Sequence, residues 1–237
     1  MNEKNIDIKL DVRVYPISEP KGNTLAFATV SVEDLAAISG IRVVASEKGA
    51  FVTMPQSKDK DGEFHDIAFP INSDLRKELN KAVLDEYDEP TRDAEGKNVG
   101  RSVTAPIKVE QGEPLSVKVY PIKEPQGNTL AFANVGIENL VAISGIRVVT
   151  GKNGLFVDMP QNKDKNGEYH DVAFPINSEL HKEVRKAVLG AYKELQAEKE
   201  KPIGERLDEG MREAANKAAE KTAPQAAVAK GKPGLGE

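Results

Sequence analysis

The side chains best suited to chemistry occur in pairs along this chain. His65-Asp66 and His170-Asp171 invite an acid–base or metal reading. Neighbours on a strand point to opposite faces, however, which parts each imidazole from its adjoining carboxylate. With three histidines in all, and no serine in a Gly-x-Ser-x-Gly turn, a Ser–His–Asp triad has no frame. Gly96-Lys97 and Gly151-Lys152 lack the Gly-x-x-x-x-Gly-Lys-Ser/Thr run that wraps phosphates, and no Rossmann glycine fingerprint occurs. The absence of cysteine removes disulfides, thiolate metal sites and thiol nucleophiles. The expectation is a non-enzyme with no catalytic residues, no metal and no cofactor. What remains is cationic. Lys58 and Lys60 follow one Met-Pro step, and Lys163 and Lys165 follow another. Arg76, Lys77 and Lys81 lie off the apolar stripe of one expected helix, and Lys182, Arg185 and Lys186 off a second. Such residues can neutralise phosphates. They also fit a solvated helix face with ordinary charge pairs, Lys77 and Lys81 flanking Glu78.

These pairs exist because the chain is duplicated. Val12 to Tyr87 matches Val117 to Tyr192 without a gap, at roughly two-thirds identity, a period too long for a solenoid unit, so each copy reads as a small module. In each, Ile8 to Ile17 and Leu115 to Ile122 alternate as half-buried strands. Lys21-Gly22-Asn23 and Gln126-Gly127-Asn128 turn into second strands, Thr24 to Val32 and Thr129 to Ile137. A short helical turn around Leu35 to Ile38 precedes a third strand over Ser39 to Val44, repeated from Ser144. Ala50 to Met54 and Leu155 to Met159 make a fourth strand, and Phe64 to Phe69 and Tyr169 to Phe174 a fifth. Each copy closes with a helix, capped at Asn72 or Ser73 in the first, whose apolar faces are Leu75, Leu79, Val83, Tyr87 and Leu180, Val184, Val188, Tyr192. The fold class is therefore α+β: two repeated modules, each a mostly antiparallel sheet of about five strands with a C-terminal helix.

The expected domains are residues 1–88 and 114–195, joined by an extended linker at 89–113 that shows no apolar period, with a charged helical or disordered tail at 196–237. A net charge of −5 argues against coating nucleic acid by bulk electrostatics and calls for a local site. The first copy is net acidic and the second slightly basic over matched spans, which favours the second for phosphate contact. Phe51, Phe69, Phe156 and Phe174 alternate as core residues would, leaving few base-stacking platforms and pointing to backbone-dominated binding. No signal-type N-terminus and no apolar run long enough to span a bilayer is visible, so a cytoplasmic protein without a membrane partner is expected.

Three linked blocks carry a family resemblance: Gly40-Ile41-Arg42-Val43-Val44, Phe51-Val52-Thr53-Met54-Pro55, and Gly62 to Ser73 with its Asp66-Ile67-Ala68-Phe69-Pro70-Ile71-Asn72-Ser73 signature. The second copy repeats them from Gly145 to Ser178. This pattern resembles the SpoVG (stage V sporulation protein G) family of septation proteins. The resemblance covers both copies but not the linker or tail. It implies a sheet with a C-terminal helix, a module that normally homodimerises, site-selective DNA and RNA binding, and gene regulation linked to septation and sporulation. It also implies that the two copies pair with each other in place of the homodimer, with higher homo-oligomers open. Within the family, nucleic-acid contact is associated with basic residues after the Met-Pro step and around the final helix. Lys58, Lys60, Lys163 and Lys165 fit the first region, although Ser57 stands where the family tends to have lysine, and Asp59 and Asp61 dilute the charge. His65 and His170 occupy a position that is often basic, so binding should be weaker and more pH-sensitive. Arg76, Lys77, Lys81, Lys182, Arg185 and Lys186 fit the second region. The alternative is a protein-interaction module of cell division that leaves nucleic acid alone.

Overall fold

Alternation of apolar and polar residues from the N-terminus gives a long first strand, β1 (Glu3–Pro16), whose even-numbered residues Ile8, Leu10, Val12 and Val14 are buried. The computed structural model describes residues 3–58, 61–110, 112–125, 127–163 and 166–200. Lys60, Lys165 and the tail expected beyond residue 200 lie outside the described residues. After β1 come β2 (Thr24–Val32), β3 (Ala36–Ser46), β4 (Gly49–Thr53), β5 (Gln56–Lys58), β6 (Phe64–Asp66), β7 (Ala68–Pro70) and α1 (Ser73–Asp88). β8 (Arg101–Glu110) joins the copies. The second copy runs through β9 (Leu115–Pro121), β10 (Thr129–Ile137), β11 (Val141–Gly151), β12 (Gly154–Asp158), β13 (Gln161–Lys163), β14 (Tyr169–Asp171), β15 (Ala173–Pro175) and α2 (Ser178–Glu200).

Each copy is a mostly antiparallel sheet followed by a helix, as the sequence implies. Three local readings need correction. The helical turn expected at Leu35 to Ile38 is instead the start of β3, because Ala36, Ala37 and Ile38 find strand partners on both sides. The expected fifth strand divides at Ile67: β6 folds back on β5 as a small hairpin arm, whereas β7 leaves for another sheet. The stretch between the copies does have an apolar period. Val103, Ala105, Ile107 and Val109 alternate in β8, which pairs with β1 from Arg101↔Val12 to Glu110↔Glu3.

The destination of β7 organises the molecule. Ala68–Pro70 of the first copy pairs with Val141–Ile143 on β11 of the second. Ala173–Pro175 of the second copy returns the exchange to Ala36–Ile38 on β3 of the first. Flanking hydrogen bonds extend both junctions: Ser144 N donates to Ile67 O at 2.7 Å and Ile71 N to Leu140 O at 2.8 Å, with Ser39 N to Val172 O at 2.7 Å on the other side. A bulge makes room for this. The β2–β3 register slips between Ala28 and Val30, where Gly40 takes φ +75°, a conformation suited to glycine. The bulge divides β3, so that Ala36–Ile38 receives the exchanged strand and Arg42–Ser46 receives β4. Gly145, also at φ +75°, divides β11 in the same way. Both copies lie within one compact unit reaching Lys193, and their buried residues form one continuous hydrophobic cluster.

The helices close the inner faces. Asn72 caps α1, its side-chain oxygen accepting from Asp74 N at 2.9 Å and Leu75 N at 3.0 Å. Leu75, Leu79 and Val83 are buried in the first copy and Val184, Val188 and Tyr192 in the second. The stripe of α1 also buries a charge, Glu86, at 0% exposure. Its carboxylate accepts from Thr91 N at 3.0 and 3.1 Å, from Thr91 Oγ1 at 2.7 Å and from Arg101 Nε at 3.3 Å. Arg101 also donates to the Glu89 carbonyl at 2.9 Å. Gly100 packs so close to β1 that a Cβ there would lie 2.4 Å from the Val12 carbonyl oxygen. These contacts pin the connection between the copies.

Candidate functional site

Two kinds of surface carry the cations singled out from the sequence. The first is the pair of hairpin arms. In β5–β6, Ser57 faces His65 and Lys58 faces Phe64 across the two strands. The Lys58 ammonium lies 5.7 Å from the Phe64 ring centre, and that ring is 63% exposed. In β13–β14, Asn162 faces His170 and Lys163 faces Tyr169, with the Lys163 ammonium 5.5 Å from the Tyr169 ring centre. Each arm therefore presents a cation beside an exposed aromatic face. Gln56 Nε2 donates to Asp66 at 2.9 Å and Gln161 Nε2 to Asp171 at 2.8 Å, fixing the bases of the arms. The first arm lies against the other copy, where Ser57, His65 and Asp66 share a shallow cleft with Asn134 and Ser144. Among the described residues, no three His, Asp or Glu side chains gather in a way that could hold a metal ion.

The second surface is the outward side of the helices, and there the copies differ. On α1 every singled-out cation has a partner. Arg76 lies 5.6 Å from the Phe69 ring centre and donates to Pro70 O at 3.3 Å. Lys77 pairs with Asp74 at 3.4 Å and Lys81 with Asp85 at 2.9 Å. The hydrogen bond that Lys81 donates to the Asp85 carboxylate holds its ammonium above the ordinary pKa. On α2 Lys182 pairs with Glu179 at 2.8 Å, both well exposed, a contact that contributes little in water. Arg185 and Lys186 are exposed, and neither has an acidic partner among the described residues.

Several members of these surfaces carry no local signal in the sequence. Phe64 and Tyr169 read from the sequence only as strand starts, yet they are the exposed rings of the arms. Phe51 and Phe156, expected in the core, are 44% and 47% exposed, because the odd and even positions of β4 and β12 cannot reveal which side a helix covers. His181 stands where the first copy has Arg76. Burial, then the nearby Arg185 charge, push its pKa below the usual histidine range, with Asp171 acting in the opposite direction. Its Nε2 is buried and has no hydrogen-bond partner among the described residues. No local pattern marks such a histidine, since it depends on what packs over the helix.

Comparison with known proteins follows the duplication. The SpoVG family model matches twice, over residues 8–89 and 113–194. A protein of Clostridium perfringens (strain 13 / Type A) is 42% identical over 78 residues, 33% of this chain and 86% of its own length. One of Staphylococcus carnosus (strain TM300) is 42% identical over 79 residues, 33% of this chain and 73% of its own length. One of Myxococcus xanthus (strain DK1622) is 34% identical over 100 residues, 42% of this chain and 96% of its own length. All three carry the name "Putative septation protein SpoVG". No described helix is long and apolar enough to cross a membrane.

Proposed function

Since this chain belongs to the SpoVG family and carries the family module twice, we propose that it is a non-enzymatic, cytoplasmic, septation-linked regulator that binds DNA or RNA. Its two modules act together as a one-chain pseudo-dimer. The septation link comes from the names of its relatives, and the strand exchange between the copies supports joint action.

The observation that carries the nucleic-acid reading is the unclaimed charge on α2. Arg185 and Lys186 stand exposed with no acidic partner among the described residues, whereas each singled-out cation of α1 has a partner; the exposed Lys182–Glu179 pair, like the lysine pairs of α1, contributes little in water. Phosphate contact through α2 releases condensed counterions, so affinity falls as salt rises. The arms add Lys58 with Phe64 and Lys163 with Tyr169, cations paired with rings that suit a backbone and its bases. His65 and His170 sit on the same arms as hydrogen-bonding groups.

Binding of short DNA and RNA fragments at two salt concentrations tests the reading. Replacing Lys182, Arg185 and Lys186 with Ala is expected to weaken binding and to flatten the dependence of log affinity on log salt by about 0.9 for each lost duplex-phosphate contact. No binding to any fragment at low salt would favour a protein-interaction module, the role that the net charge of −5 and the engaged cations of α1 would fit.

A further inference from the structure

The outward faces of the two sheets carry a feature that neither helices nor arms use. Across β1, β2 and β3, Tyr15 stands opposite Phe27 and Phe27 opposite Arg42, with Thr53 on β4 ending the row. The adjoining Val14, Ala26, Ala28, Ile41 and Val43 are buried, so the row points away from the core. Tyr15 is 54% exposed and Phe27 47%. Phe51, opposite Val44 in the next row, stands on the same face. Strands lie about 4.8 Å apart, so the two rings and the guanidinium follow one another as close neighbours. An exposed aromatic cluster on one sheet face marks a binding surface rather than ordinary solvent-facing polarity.

The charges identify what would bind. Arg42 has no acidic partner among the described residues. Asp11, further back along the outward side of β1, already accepts a hydrogen bond from the Ser102 hydroxyl and pairs with Lys9 at 3.1 Å. The face therefore offers flat π surfaces and an unclaimed planar cation. An unpaired nucleotide strand supplies the matching groups: base faces that stack on rings, and phosphates that a guanidinium grips in a bidentate way. The second copy repeats the row as Tyr120, Phe132 and Arg147, but ends it with Asp158. There Arg147 forms an ion pair with Asp158, whereas the first copy has Thr53, whose buried Oγ1 finds no hydrogen-bond partner among the described residues.

We infer that Tyr15, Phe27 and Arg42 form a base-stacking platform for unpaired RNA or DNA, and that Asp158 weakens the corresponding platform of the second copy. This rests on the nucleic-acid reading above and deepens it. Phosphate contact through α2 and base stacking on the first sheet become separate parts of one binding mode, distributed over both copies.

The test uses the full chain with labelled single-stranded RNA, single-stranded DNA of the same sequence, and the matching duplex DNA, followed by fluorescence anisotropy at low salt. Phe27→Ala is expected to weaken single-strand binding about tenfold, the loss of one stacked base, and to leave duplex binding unchanged. Asp158→Thr is expected to tighten single-strand binding, and Phe132→Ala to cost less than Phe27→Ala. The chain contains no tryptophan, so Phe27→Trp supplies a direct reporter whose emission single strands should quench. The RNA and DNA arms show which strand the platform prefers. Strand binding that Phe27→Ala and Tyr15→Ala leave within about twofold, with the Phe27→Trp emission unmoved, overturns the platform while the α2 reading stands. Absence of binding to all three probes overturns both.

Discussion

Arg101→Met should destabilise the fold far beyond what its surface position suggests. Arg101 is 28% exposed, but the Glu86 carboxylate that it meets at 3.3 Å is wholly buried. Removing the guanidinium leaves that charge with its Thr91 bonds alone, and also frees the Glu89 carbonyl. Breaking a buried pair from one side costs about 3–5 kcal/mol. The partial exposure of Arg101 places this case near about 3 kcal/mol, because water can replace some of the lost contact. For a unit of this size each kcal/mol lowers the melting temperature by about 2–4 °C, which gives a fall of about 6–12 °C. Circular dichroism during thermal and urea unfolding measures it. The double change Glu86→Leu with Arg101→Met should recover most of the loss, since replacing both partners of a buried pair with apolar groups is often nearly neutral. A loss below about 1 kcal/mol for Arg101→Met would refute the reasoning and reduce the pair to a surface contact.

Acidification should weaken the fold through His181. Burial and Arg185 lower its folded pKa, so below an unfolded value of about 6.5 the unfolded chain binds a proton that the folded chain resists. The neutral imidazole's contribution is present above that value and is lost as pH falls through the folded one; His181→Gln should therefore flatten the decline in melting temperature below neutrality, and equal slopes in both proteins would count against it. Residues 1–112 expressed alone lack the second-copy strand that covers Ala36–Ile38. They should dimerise by lending β7 to a partner's β3, and a light-scattering mass of one chain at micromolar concentrations would contradict this. The salt response of the Lys182, Arg185 and Lys186 variant and the strand selectivity of Phe27→Ala complete the set.

Much of the fold was legible in the residues themselves. The duplication, the capped helices with stripes at Leu75, Leu79 and Val83, and the alternation of β1 are local patterns, set by the periods of helix and strand. The cations of α2 were legible for the same reason, since a residue off the apolar stripe must face outward. Tertiary structure decided the rest, because those features depend on what covers a face or receives an edge. Ala68–Pro70 is too short to announce its partner, and only the bulge at Gly40 and its counterpart at Gly145 open an edge in the opposite copy. Glu86 reads as a solvated helix charge until Thr91 and Arg101 close over it. Phe27 lies in a strand apolar on both sides, Leu25-Ala26-Phe27-Ala28, so alternation alone cannot say which side faces solvent. Sequence periodicity assigns residues to faces, and packing decides which face is buried and which is left open to bind.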